Sequence, residues 1–153
     1  MRNLHLNDNS ALDENNRISK IRPYFDHLKN AFIYHAPWEK EISIDEAMIP
    51  YYGRLGLKQY IKRKPTRFGY KVWCMNLKHG YLIDFEVYQG SKGPQNQYKS
   101  DFGLGGGVLL QFSDTLPRDG FDALPFHVLA DNFFLSVKVS EEFTKLGVGV
   151  TRK

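Results

Sequence analysis

Apolar positions along this chain change their period several times, and each change marks an element. Ile18, Ile21, Phe25, Leu28 and Phe32 follow a three-four spacing, which predicts an amphipathic helix. Pro23 lies inside that run, so the helix either starts there or kinks there, and Pro37 marks its exit. Ile42 and Ile44, with Met48 beyond them, predict a first strand that Pro50 and Gly53 end or bulge. Residues 71–77 predict a second strand, Lys78-His79-Gly80 a tight turn, and residues 81–88 a third strand, together an antiparallel hairpin. In the third strand Ile83, Phe85 and Val87 alternate with Asp84 and Glu86, which predicts one buried and one wet face.

Residues 89–100, rich in Gly, Ser, Pro, Gln and Asn, predict a loop. A helix is expected over 104–116, its start weakened by Gly105-Gly106-Gly107. Phe126 to Ala130 predicts a short buried strand that stops at Asp131-Asn132, and Phe134, Val137, Phe143 and Leu146 predict a closing helix over 133–146. Gly147-Val148-Gly149-Val150 begins an element of unassigned type. The order helix, strand, strand, strand, helix, strand, helix predicts an α/β fold, a mixed sheet covered by helices. Its last strand should lie beside the first, because a helical crossover separates them. Residues 1–14 are polar and expected to be flexible, leaving 15–153 as the domain.

Composition narrows the functional classes. The 153 residues are 42% hydrophobic and 25% charged, ordinary globular values, with an aromatic share of 14% that predicts an aromatic-rich core. Cys74 is the only cysteine, which excludes an intrachain disulfide and a multi-cysteine zinc site. No apolar run approaches the roughly 18 residues of a membrane span, so no membrane partner is expected, and the polar N-terminus lacks the apolar core of a secretory signal. The net charge of +4 is local. Residues 47–83 hold no Asp or Glu but carry 8 of the 21 basic residues: Arg54, Lys58, Lys62, Arg63, Lys64, Arg67, Lys71 and Lys78. Tyr60, Phe68 and Tyr70 are interleaved with them. Cations that neutralise phosphates beside aromatics that stack on bases point to a nucleic-acid partner. A solvated charged surface and a nuclear-import signal at Lys62-Arg63-Lys64 are the alternatives.

The acidic candidates are Asp45, in the first strand, and Asp131, at the carboxyl end of the fourth. If those strands pair, the two carboxylates converge at one end of the sheet. Hard oxygen donors of this kind suit Mg2+ or Mn2+, which in phosphodiester cleavage activates a water and steadies the leaving oxygen. Asp45 alternatively pairs with a nearby Lys or Arg, and Asp131 alternatively caps the helix after it. Gly103 to Gly107 fails the dinucleotide fingerprint, since Val108 stands where that pattern needs glycine and no apolar strand precedes it, so a flexible helix start is expected there. The five histidines show no HExxH spacing, Cys74 reads as a buried structural thiol, and Ser136 lacks nucleophile-elbow glycines.

Five blocks taken together, SIDEAMIPYYGR, LKQYIKRKP, RFGYKVW, GYLIDFEVYQG and DNFF, resemble the piggyBac transposase family in order and spacing across about Ile18 to Lys153. The resemblance implies an RNase H-like domain that cleaves and transfers DNA strands with Mg2+ held by three aspartates. Two of the three fall on Asp45 and Asp131, and the basic arm from Arg54 to Lys71 lies near DNA. The family's third catalytic aspartate stands well beyond the DNFF block. Here the residues after Asp131 include no aspartate, and Leu135 stands where the family tends to have Thr. The family's cysteine-rich DNA-binding module is absent too, and Gly149-Val150-Thr151-Arg152 resembles a family segment cut short. The expectation is therefore a fragment or remnant of a nuclear transposase, incomplete at its C-terminal end, holding Mg2+ or Mn2+ weakly or not at all and inactive alone. A domesticated, non-enzymatic DNA-binding protein is the alternative. A sheet lacking its fifth strand is also expected, with an exposed edge for a homodimer or other partner to cover.

Overall fold

A computed structural model describes residues 6–54, 56–62, 64–90, 93–94, 96–120 and 123–153. After a 3-10 turn at Asn9–Ala11, the elements are α1 (Arg22–Tyr34), β1 (Glu41–Pro50), β2 (Gln59–Tyr60), β3 (Phe68–Leu77), β4 (Leu82–Val87), α2 (Lys99–Ser113), β5 (His127–Ala130), α3 (Val137–Lys145) and β6 (Gly149–Arg152). The six strands form one mixed sheet. β3 pairs antiparallel with β1 along one side, and with β2 and then β4 along the other. β5 lies parallel to β1, and β6 parallel to β5. The first and fourth predicted strands, β1 and β5, are thus neighbours, as the helical crossover required.

Ile42, Ile44, Trp73, Met75, Leu77, Val128 and Ala130 of the sheet form one core with Leu109 and Phe112 of α2 and Val139 and Phe143 of α3. Against β4 lies α1, with Phe25 edge-on to Phe85 at 5.3 Å between ring centroids and Phe32 tilted on the same ring at 6.3 Å. Pro23 resolves as a helix start: it stands in the first turn of α1, where its missing N–H has no partner to lose. The register of β1 on β3 pairs Asp45 with Cys74 and Glu46 with Trp73. It passes through Gly69, where a Cβ would collide with the carbonyl oxygen of Ile49.

Four expectations need correction. The sheet has its fifth ribbon. Gly147, at φ 71°, reverses the chain after α3, and Gly149–Arg152 then run as β6 beside β5, with Val150 opposite Val128. The expected wet face of the third strand is covered at Asp84, only 5% exposed, because Lys29 of α1 and Thr115 reach its carboxylate. Nor is the helix after the loop loosely begun. It starts at Lys99 and breaks at Gly103 (φ 72°, ψ −177°), and Gly105, Gly106 and Gly107 are buried. They are close-approach positions: a Cβ on Gly105 would strike the Phe133 carbonyl oxygen, and one on Gly106 would stand 2.7 Å from Val139 Cγ2. The closing helix starts at Val137, later than expected, because residues 131–134 form a turn and Ser136 caps α3 by accepting from Val139 N–H at 3.3 Å.

Candidate active site

The parallel pairing of β1 with β5 sets Ile44 opposite Ala130. The next residue along each is an aspartate: Asp131 directly follows β5, whereas Asp45 sits in the middle of β1, which runs on to Pro50, rather than at the end of the sheet. Neither is buried. Asp45 Oδ1 accepts from the Glu46 N–H at 2.8 Å, and Lys153 Nζ lies 3.3 Å from Asp45 Oδ2. Asp131 Oδ1 accepts from the Asn132 N–H at 2.6 Å, while the Phe134 N–H returns to the Asp131 carbonyl at 2.9 Å. The cap of α3 is Ser136, so the helix-cap alternative for Asp131 does not hold. The Asp45 alternative holds in part, since Lys153 does pair with it. Nothing in the spacing of the sequence joins those two residues; the β1–β5–β6 ribbon order brings them together.

The turn carrying Asp131 is held from below. α2 passes close enough that Gly105 meets the backbone of Phe133 and Phe134. Phe133 then stacks on the buried Trp73 ring (5.5 Å, 15°), and Phe134 meets both rings edge-on. This aromatic anchor was not singled out in the sequence, although the DNFF block contains half of it.

The basic residues divide into two groups. Arg54, Lys58, Lys62 and Arg67 are exposed. Lys64 instead pairs with Glu46 at 3.1 Å. Lys71 lies over the rings of Trp73 (4.0 Å to the centroid), Phe133 (5.0 Å) and Tyr88 (5.9 Å), and burial pushes its ammonium below the usual lysine range. Arg63 lies outside the described residues. Of the interleaved aromatics, Tyr60 and Phe68 pair with each other (4.7 Å) and stay exposed, whereas Tyr70 stacks on Tyr51 at 4.7 Å. Lys58 reaches 5.7 Å from the Phe68 centroid.

Comparison with known proteins fits this geometry. A family description, Transposase IS4, matches residues 1–151. The chain belongs to the Transposase IS4 family. Human PiggyBac transposable element-derived protein 3 is 39% identical over 99% of the chain and 25% of its own length. Human PiggyBac transposable element-derived protein 2 is 40% identical over 97% of the chain and 24% of its own length. The chain is thus a piggyBac-type relative that spans about a quarter of these two proteins. In three dimensions it resembles a piggyBac transposase synaptic complex with hairpin DNA, with a TM-score of 0.80 at 23% identity, covering 99% of this chain and 30% of that one. That likeness establishes the fold, an RNase H-like α/β sheet.

Other candidate groups in this Transposase IS4 family member have structural surroundings. Cys74 is half-buried rather than fully buried, and burial, with the charge of Asp45 second, pushes its thiol up to about 11, so it stays protonated at neutral pH. No group of three His, Cys, Asp or Glu side chains suited to a metal ion occurs among the described residues. Also among those residues, no helix is long and apolar enough to cross a membrane.

Proposed function

We propose that Asp45 and Asp131 are two of the ligands of a divalent-metal site for phosphodiester cleavage, and that the exposed cations around the β2–β3 hairpin hold the DNA. The observation that carries this reading is the register: Ile44 lies opposite Ala130, so Asp45 in the middle of β1 and Asp131 just past β5 are the next residues along two neighbouring segments. The donor chemistry fits Mg2+ or Mn2+, because both are hard carboxylate oxygens and Asp45 already accepts one cation, the Lys153 ammonium. A divalent ion held there supplies an activated water and steadies the leaving oxygen. The chain's own residues do the positioning. The neighbouring N–H groups orient each carboxylate, and the Gly105 contact fixes the turn on which Asp131 rides.

Two carboxylates leave the shell of such an ion incomplete, so these 153 residues alone bind it weakly and do not carry out strand transfer. Calorimetric titration with Mn2+ tests the assignment. Weak binding lost in both Asp45→Ala and Asp131→Ala supports it, and binding unaffected by either overturns it. Cutting of a labelled transposon-end duplex by the chain with Mg2+, abolished by Asp45→Ala, would show that the site is complete after all.

The exposure of Arg54, Lys58, Lys62 and Arg67 favours a second reading, non-enzymatic binding to duplex DNA in the nucleus. Each phosphate contact removed should lower the log-log salt slope by about 1. A slope unchanged in Lys62→Ala/Arg67→Ala would exclude that surface.

A further inference from the structure

Phe133 is 49% exposed, yet its ring is fixed. Trp73, itself 2% exposed, lies parallel to it at 5.5 Å; Phe134 stands edge-on at 5.2 Å and 5.4 Å from the Trp73 centroid. The Lys71 ammonium is 4.0 Å from the Trp73 centroid and 5.0 Å from that of Phe133. Trp73 stacks on one face of Phe133, and Phe134 meets the ring edge-on rather than stacked. No second ring is stacked on Phe133 among the described residues. The Phe133 ring is a pre-set aromatic surface with a half-buried cation at its rim. Glu46, the carboxylate whose charge acts on Lys71, is already paired with Lys64.

From this geometry we infer that Phe133 is a stacking platform for an unpaired nucleobase of the DNA strand held at Asp131, with Lys71 at hand for an adjoining phosphate. The inference rests on the DNA-cleavage reading and specifies how the strand is held. Phe133 follows Asp131 by two residues, so their Cα atoms are at most about 7.6 Å apart. A free aromatic face suits a base of any sequence, and a nearby cation suits the polyanionic strand that carries it. A duplex base, already stacked on both sides, has no face to offer.

The probe is a single-stranded oligonucleotide carrying one 2-aminopurine, compared with the same strand annealed as a blunt duplex. Binding to the unaltered chain should quench the 2-aminopurine. Phe133→Leu should remove the quench and weaken single-strand affinity by roughly 5- to 100-fold, the range for loss of one base–aromatic stack, while leaving duplex affinity within about two-fold. Phe133→Trp should restore both, since either ring can stack on a base. Lys71→Gln should keep the quench and lower the single-strand salt slope by about 0.7. Quenching and affinity unchanged in Phe133→Leu, with duplex binding intact, overturn the platform and leave the DNA reading standing. Absence of binding to either oligonucleotide overturns both.

Discussion

The sheet carries two pairs of carboxylates, and their surroundings are opposite. On β4, Asp84 and Glu86 are enclosed: Lys29 reaches both, at 3.0 Å and 3.2 Å, Arg22 reaches Glu86 at 2.7 Å, and Thr115 donates to Asp84 at 3.2 Å. Midway along β1 and just past β5, Asp45 and Asp131 are unburied, and apart from Lys153 their recorded bonds are to neighbouring backbone N–H groups. The first pair spends its lone pairs on tying α1 to the sheet. The second keeps oxygen atoms available while the backbone beneath them is fixed. Saturation by side chains marks structural acids, and rigid backbone with unfilled oxygens marks acids free to take a ligand.

The largest expected effect comes from breaking the enclosed pair. Lys29→Met removes the cation from Asp84, leaving it to Thr115 and the Phe85 N–H, and leaves Glu86 to Arg22 alone, and should cost about 3 kcal/mol in urea unfolding. Asp45→Ala should cost no more than about 0.5 kcal/mol. Equal costs would erase the distinction between the pairs. Next, Gly105→Ala should destabilise by about 2 kcal/mol through overpacking against the Phe133 carbonyl. It should also weaken any Mn2+ binding at Asp131, a loss that Lys29→Met at equal residual stability should not reproduce.

Proton linkage separates the pairs further. Burial raises the Asp84 carboxyl above 3.8, outweighing Lys29, the Phe85 N–H and Thr115, which pull it down. A raised folded value means that its contribution to stability is full below 3.8 and is lost as pH rises through the folded value. Relative to Asp84→Asn, the unaltered chain should therefore gain stability as pH falls through that window, read from urea midpoints between about pH 3 and 6. The smallest effect concerns Cys74, whose thiol senses Asp45. Asp45→Asn should modestly speed its reaction with a disulfide reagent at pH 8; no change would mean that burial alone sets its reactivity.

Much of the fold was legible because β1, β3, β4 and β5 carry apolar runs or alternation bounded by turn residues, and the resemblance placed Asp45 and Asp131 together before any strand pairing was known. The misreadings share a physical cause: contact at a distance along the chain. Asp84 looked solvated because its partner Lys29 lies 55 positions away on a helix. Gly105 to Gly107 looked loose because propensity registers a missing side chain and not the carbonyl that requires its absence. β6 escaped because two glycines flank Val148 and weaken any local strand signal, while its pairing with β5 depends on α3 turning the chain back. The basic segment was seen as one patch, yet Lys64 pairs with Glu46 of β1 and Lys71 lies over Phe133, both distant along the chain.

β1 places two carboxylates in succession, and alternation sends Asp45 toward Cys74 and Glu46 toward Trp73. The pairing of β1 with β5 sets which acid lies beside Asp131, and the register of β1 on β3 holds that strand in place. A slip by one residue would present Glu46 there, one methylene longer, and would turn Ile42 and Ile44 out of the core. Gly69 guards against that error: its bare Cα admits the Ile49 carbonyl, and any neighbouring residue slid into its place would bring a side chain that the gap cannot hold. A residue without a side chain thus helps decide which acid of β1 lies toward a neighbouring strand that it does not itself touch.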